Sequence, residues 1–140
     1  HGEFSSKTIS FLKAELARLT AKPVLIGFHH PPFRVGITPM DIQNLIDAGP
    51  FAEAFAGYQG EIRLVCGHLH RSIAGLFEGH LCQVCPGTSH AVTLDQRSDA
   101  GNSLTIEPGG FMLHEWRDNR FLSHLIPVGT FSGPHPFLGV

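Results

Sequence analysis

Residues 24–33 read Val-Leu-Ile-Gly-Phe-His-His-Pro-Pro-Phe. Val24–Phe28 is an apolar run long enough for one buried strand and too short for a core helix. It ends in two adjacent histidines, His29 and His30. Pro31 and Pro32 follow, and proline has no N–H to give a sheet ladder, so the strand stops there. Metal-competent side chains therefore sit at the C-terminal lip of a buried strand. In open α/β sheets that lip is where ligands bind. A second lip comes after Ile62–Cys66, in Gly67-His68-Leu69-His70.

Upstream of the first lip, Ser5 or Ser6 can cap a helix over about residues 7–20, with Ile9, Leu12, Leu16 and Leu19 on one face. Downstream, Pro31–Pro39 reads as a loop and Asp41–Ala48 as a helix, with Ile42, Leu45 and Ile46 together. Gly49-Pro50 interrupts it, and Phe51 and Phe55 then pack at i,i+4. After Gly60 the texture changes to short β-like runs: Ile62–Cys66, Ser72–Phe77, Leu81–Cys85, Ala91–Leu94, Ser103–Glu107, Phe111–Trp116 and Phe121–Val128. Turn pairs such as Glu78-Gly79, Pro86-Gly87 and Asp118-Asn119 separate them. The expected fold is α/β with a β-rich edge, a strand-helix-strand unit followed by an antiparallel meander. It amounts to one layer pair of an α/β sandwich with a β-rich C-terminal edge.

The bulk properties narrow the function. The chain has 140 residues, 42% of them hydrophobic and 16% charged, an ordinary globular balance. A formal net charge of -2 gives no general attraction to nucleic acid or an anionic membrane. No apolar stretch nears the ~18 residues of a membrane helix. The expected location is cytoplasmic. The three cysteines, at 66, 82 and 85, read as small buried hydrophobes. Cys82 and Cys85 form a single C-x-x-C, whereas a zinc ribbon needs two such pairs.

The chemistry lies in the histidines. His68 and His70 stand at i and i+2 after Gly67, and in an extended segment both would face the same side. If the strand ending at His29 neighbours the one ending at Gly67 in a parallel sheet, all three rings meet at one lip. Taken singly, a histidine at a strand end is most often a hydrogen-bonded structural residue. Three at two linked strand ends are a ligand set suited to zinc, iron or manganese.

The residues Phe28-His29-His30-Pro31-Pro32-Phe33 together with Cys66-Gly67-His68-Leu69-His70-Arg71 resemble the calcineurin-like metallophosphoesterases, and most of all the bacterial cyclic-nucleotide and glycerophosphodiester phosphodiesterases. Val35-Gly36-Ile37 with Met40-Asp41, Pro86-Gly87-Thr88-Ser89-His90, Glu107-Pro108-Gly109-Gly110-Phe111 and Gly133-Pro134-His135-Pro136-Phe137 extend the resemblance over nearly the whole chain. It implies a dinuclear metal site (Fe, Mn, Zn or Co), with His29 and His68 on one metal and His70 on the other. It also implies that a bridging hydroxide attacks phosphorus in line. His30 and His90 match positions nearer the substrate or behind the ligands, and Arg71, which follows the motif, can pair with phosphate but reads first as a surface arginine.

The family's Asp-x-His, Gly-Asp and Gly-Asn-His motifs do not occur in the chain. Residues 1–140 thus resemble the C-terminal part of such a domain, which implies half of its β-sandwich flanked by helices. Three neutral imidazoles cannot offset two divalent charges, so a complete dinuclear site needs the missing N-terminal half. The expected partners are a small phosphoester substrate, that missing half and, through a bare sheet face carrying Val24, Ile26 and Leu64, a second copy of the chain. Nucleic acid and membrane are not expected. The alternative reading is a non-catalytic module that is structural or holds a single metal.

Overall fold

A computed structural model describes residues 1–137. Helix α1 (Ser6–Leu19) starts at the Ser5 cap, whose hydroxyl accepts from the Thr8 amide, and buries Ile9 and Leu16. Strand β1 (Val24–Gly27) leads to the first histidine lip. A short helix α2 (Thr38–Asp41) and helix α3 (Gly49–Phe55) cross over to β2 (Ile62–Cys66). Strands β3 (Ile73–Phe77), β4 (His80–Val84), β5 (Ala91–Val92), β6 (Leu104–Thr105), β7 (Gly110–Arg117) and β8 (Arg120–Pro127) follow. No helix among the described residues is long and apolar enough to cross a membrane.

The expected parallel pairing of the two lip strands is present, with Val24 beside Ile62 and Gly27 beside Val65. The tail is less of a meander than its periodicity suggests. The four-stranded sheet has the order β1-β2-β4-β3, so β4 runs parallel to β2 and sends β3 to the edge. Strands β5 and β6 form one small antiparallel pair, and β7 with β8 forms a long hairpin. The turns at Glu78-Gly79 and Asp118-Asn119 have positive φ at both central positions, as tight hairpins require.

The helix expected over Asp41–Ala48 does not form. The Asp41 carboxylate accepts from the Val35 and Gly36 amides, at 2.7 and 3.1 Å, and so ties down the loop after the first lip. Beyond it the backbone bonds outward: Leu45 N–H to the Pro31 carbonyl, Ile46 N–H to that of Gly2, and Gly2 N–H to that of Asn44. Gly49-Pro50 opens the next helix instead of interrupting one, since proline's missing N–H costs nothing in a first turn.

The sheet face carrying Val24, Ile26 and Leu64 is the covered one. Leu64, Cys82 and Val84 are fully buried there in one core with Ile9 and Leu16 of α1 and Phe51 and Phe55 of α3. The open face is the opposite one, carrying Leu25 and Leu76, the latter 70% exposed. Part of that face lies under the β7–β8 hairpin. There the buried Arg63 donates to the Ser123 hydroxyl, the Phe121 carbonyl and Gln83, and lies over the Phe121 ring.

Candidate metal centre

Because β1 and β2 are in register, their C-terminal ends emerge side by side. The Gly67 amide donates to the His29 carbonyl at 2.9 Å and closes the two lips together. His29, His30 and His68 meet there, with one ring nitrogen of each lying within 4.8 Å of the other two. The His30 and His68 ring centroids are 4.2 Å apart, and those of His29 and His68 are 5.3 Å apart. Nδ1 of His30 and Nε2 of His68 are buried and have no hydrogen-bond partner among the described residues. Burial, and then neighbouring histidines, push both rings below the ordinary imidazole range, so they are neutral at pH 7. Two neutral imidazoles with buried, unbonded nitrogens beside the exposed His29 suit an electrophile, and the three-histidine donor set fits a borderline divalent metal.

His70 takes a different path. The loop Gly67–Arg71 is not extended: φ is +71° at His68 and +53° at His70. The same-side argument for i and i+2 therefore does not hold. Leu69 is wholly buried between the two histidines, and His70 turns to His90, Nδ1 to Nε2 at 3.1 Å. His90 Nδ1 lies 3.1 Å from the Ser89 hydroxyl. Gly87 makes this approach possible. A Cβ on it would lie 2.6 Å from the His90 carbonyl oxygen and 2.7 Å from His70 Cβ. The rings of His68, His70 and His90 still line a single cavity of about 400 Å³, with Met40 and Gln43 on another wall.

Arg71 is not a surface residue. Its side chain is 16% exposed, and Nη1 donates to the Val92 carbonyl at 2.7 Å and to Glu107 Oε1 at 2.8 Å. Cys66 and Cys82 match their reading as buried apolar groups, whereas Cys85 is half-buried. Cys66 and Cys82 touch, Sγ to Sγ, at 3.9 Å. That contact and burial push the Cys66 thiol up, and burial does the same to Cys85. Among the described residues no cysteine or carboxylate joins the histidine cluster.

No protein-family model matches the chain. It is 35% identical over 139 residues to a probable glycerophosphodiester phosphodiesterase of Arcobacter nitrofigilis, covering 98% of this chain and 51% of that protein. A probable cyclic nucleotide phosphodiesterase of Rhodopseudomonas palustris is 35% identical over 117 residues, or 83% of this chain and 43% of the relative. The 3',5'-cyclic adenosine monophosphate phosphodiesterase of Escherichia coli K12 is 27% identical over 131 residues, or 86% and 48%. The chain is thus similar over most of its length to bacterial phosphodiesterases of the calcineurin-like metallophosphoesterase type. It spans about half the length of the curated relatives it matches.

Of the residues that the metallophosphoesterase resemblance singles out, the fold brings His29 and His68 together and adds His30 to them. It sets His70 with His90 on the next wall. The proximity of His30 follows from its place directly after His29 at a strand end, where the ladder no longer alternates side chains. The Arg71–Glu107 pair had no local signal, since its members lie 36 residues apart.

Proposed function

We propose that residues 1–140 are the C-terminal part of a metallophosphoesterase domain, and that the whole protein hydrolyses phosphodiester bonds of small molecules, cyclic nucleotides or glycerophosphodiesters. The observation that carries this reading is the convergence of His29, His30 and His68, with two buried ring nitrogens lacking any partner. Likeness to bacterial phosphodiesterases over 98% of the chain supports it. His29 and His68 would hold one metal ion, with His30 beside it as a further donor or as a substrate contact. His70, propped by His90, would offer its remaining nitrogen to a second ion. Metal ions bound there supply electrophilic stabilisation of the phosphoryl oxygens and activate water.

The chain's own residues do the rest. The loop Gly67–His70, left-handed at His68 and His70, presents both histidines to one cavity, and buried Leu69 pins it. Carboxylates that balance two divalent charges would come from the remainder of the protein. That remainder would also cover the open sheet face around Leu25 and Leu76.

The test is metal analysis together with hydrolysis of bis(4-nitrophenyl) phosphate by the whole protein. Two bound ions per protein and hydrolysis that chelation abolishes are expected. A single ion without turnover would favour the non-catalytic module, for which the specific argument is that no carboxylate among the described residues joins the cluster.

A further inference from the structure

We infer that Arg71 is a positioning residue for the His70–His90 pair, and that Glu107 is its anchor. The inference rests on the metallophosphoesterase reading for its catalytic consequence, but not for its structural content. His68 and His70 both hold left-handed backbone, φ +71° and +53°, which costs a non-glycine residue on the order of 1 kcal/mol or more. Such a conformation persists only where its surroundings over-determine it. Leu69 supplies one restraint by its burial and by accepting from the Val92 amide at 3.1 Å. Arg71, the residue after His70, supplies the other. A single nitrogen, Nη1, bridges the Val92 carbonyl and the Glu107 carboxylate. It thereby ties the histidine loop to β5 and to the segment between β6 and β7.

The start of β7, directly after that segment, closes the ring of contacts. Gly110 N–H donates to the Gly87 carbonyl at 2.9 Å, and Gly87 is the residue against which His70 and His90 pack. A cavity of about 310 Å³ is lined in common by His70, Arg71, His90 and Glu107. Arg71 could in principle be a phosphate ligand instead. Its charge is matched by Glu107 at 2.8 Å and Nη1 is already committed to two acceptors, so a fixed strut is the better account.

The test uses Arg71→Ala, Arg71→Lys and Glu107→Ala in the protein. In metal-free samples, ¹⁵N imidazole spectra report the His70–His90 hydrogen bond and amide exchange reports the 67–71 loop. Arg71→Ala should lose the imidazole coupling and speed exchange at residues 68–71, leaving β1 and β2 protected as before. In the metal-loaded protein kcat should fall roughly 10–100-fold with KM changed by less than about threefold, as expected for a misplaced group. Lysine can make both contacts from one nitrogen, so Arg71→Lys should recover most of the coupling and of kcat. If Arg71→Ala does not fold, Glu107→Ala removes one acceptor only and carries the same measurements. An intact His70–His90 coupling in the alanine variants overturns the proposal, as does a rise in KM at unchanged kcat. A wild-type protein that fails to hydrolyse phosphodiesters would sink the functional reading, while the metal-free spectra still decide the role of Arg71.

Discussion

The two histidine groups adjoin at His68 and His70, two residues apart in sequence, and differ in how their nitrogens are satisfied. In the cluster of His29, His30 and His68, two buried ring nitrogens have no partner among the described residues. In the other group, His70 and His90 bond each other, and Ser89 bonds His90. Both groups reach the same cavity through His68, His70 and His90. A buried, unbonded polar atom costs roughly 1–3 kcal/mol, so the first group is built for something that completes it. The second group is already complete, which makes it a held arrangement and a poorer first site for an ion. In a protein lacking other ligands, the first ion should therefore go to His29, His30 and His68.

Removing a donor from the first group tests that difference most severely. His68→Ala should weaken Zn²⁺ or Co²⁺ binding by more than the roughly 10–100-fold typical of groups that merely support a ligand. His90→Ala should stay within that range. Isothermal titration of both variants measures it, and His30→Ala shows whether His30 is a donor or a neighbour. Equal losses from His68→Ala and His90→Ala would erase the distinction between the groups.

Packing at the second group comes next. Gly87→Ala places a methyl 2.6 Å from the His90 carbonyl oxygen and 2.7 Å from His70 Cβ, and neither is the yielding end of a long side chain. The expected cost is about 1–3 kcal/mol of stability, read from denaturant midpoints. First-site metal affinity should change far less than for His68→Ala. If Gly87→Ala abolished metal binding while the fold survived, the second group would prove to be the primary site.

The pH dependence separates buried neutral histidines from everything else. Burial depresses His30, His68 and His114 from their ordinary value near 6.5, and for His114 the guanidinium of Arg63 adds to it. As pH falls below 6.5 the unfolded chain takes up protons that the folded chain refuses. Stability is therefore complete above 6.5 and is lost as pH drops through the depressed values. Urea midpoints should decline from pH 7 towards pH 5, and His30→Gln should flatten part of that slope. Midpoints that rose on acidification would contradict it. Asp95 loses its contribution in a separate, far more acidic window, because Arg97 holds it down to about 2.

These differences also show what the sequence could carry. The two lips and their parallel pairing were legible because apolar runs ending in Pro31 or Gly67 are local signals, as were the turns at Glu78-Gly79 and Asp118-Asn119. The insertion of β4 between β2 and β3 was not, since periodicity says nothing about which non-sequential strands pair. Helical spacing over Asp41–Ala48 misled, because one carboxylate and three outward backbone bonds overrode it. The sharing of histidines between the two groups depended on left-handed backbone at His68 and His70. Such φ values are uncommon for residues other than glycine, and nothing in the residue types announces them.

The smallest expected effect concerns the proton order in the second group. The Ser89 hydroxyl can act as either donor or acceptor towards His90 Nδ1. If His90 Nδ1–H donates to Ser89, then His90 Nε2 accepts from His70 Nδ1–H, and His70 Nε2 keeps a free lone pair. If the hydroxyl donates, each proton moves one place, and His70 Nε2 carries a hydrogen and cannot ligate. A metal on His70 therefore selects the first order, whereas the metal-free protein is free to hold either. Ser89 is exposed, so its bond is worth no more than about 0.5–1.5 kcal/mol. Ser89→Ala should accordingly change first-site metal affinity less than about twofold, and second-site affinity by no more than about tenfold. ¹⁵N shifts of His70 and His90, recorded with and without metal, would follow the proton directly. A loss at the first site as large as that from His68→Ala would mean that the two groups titrate as one unit and that their separation is not real.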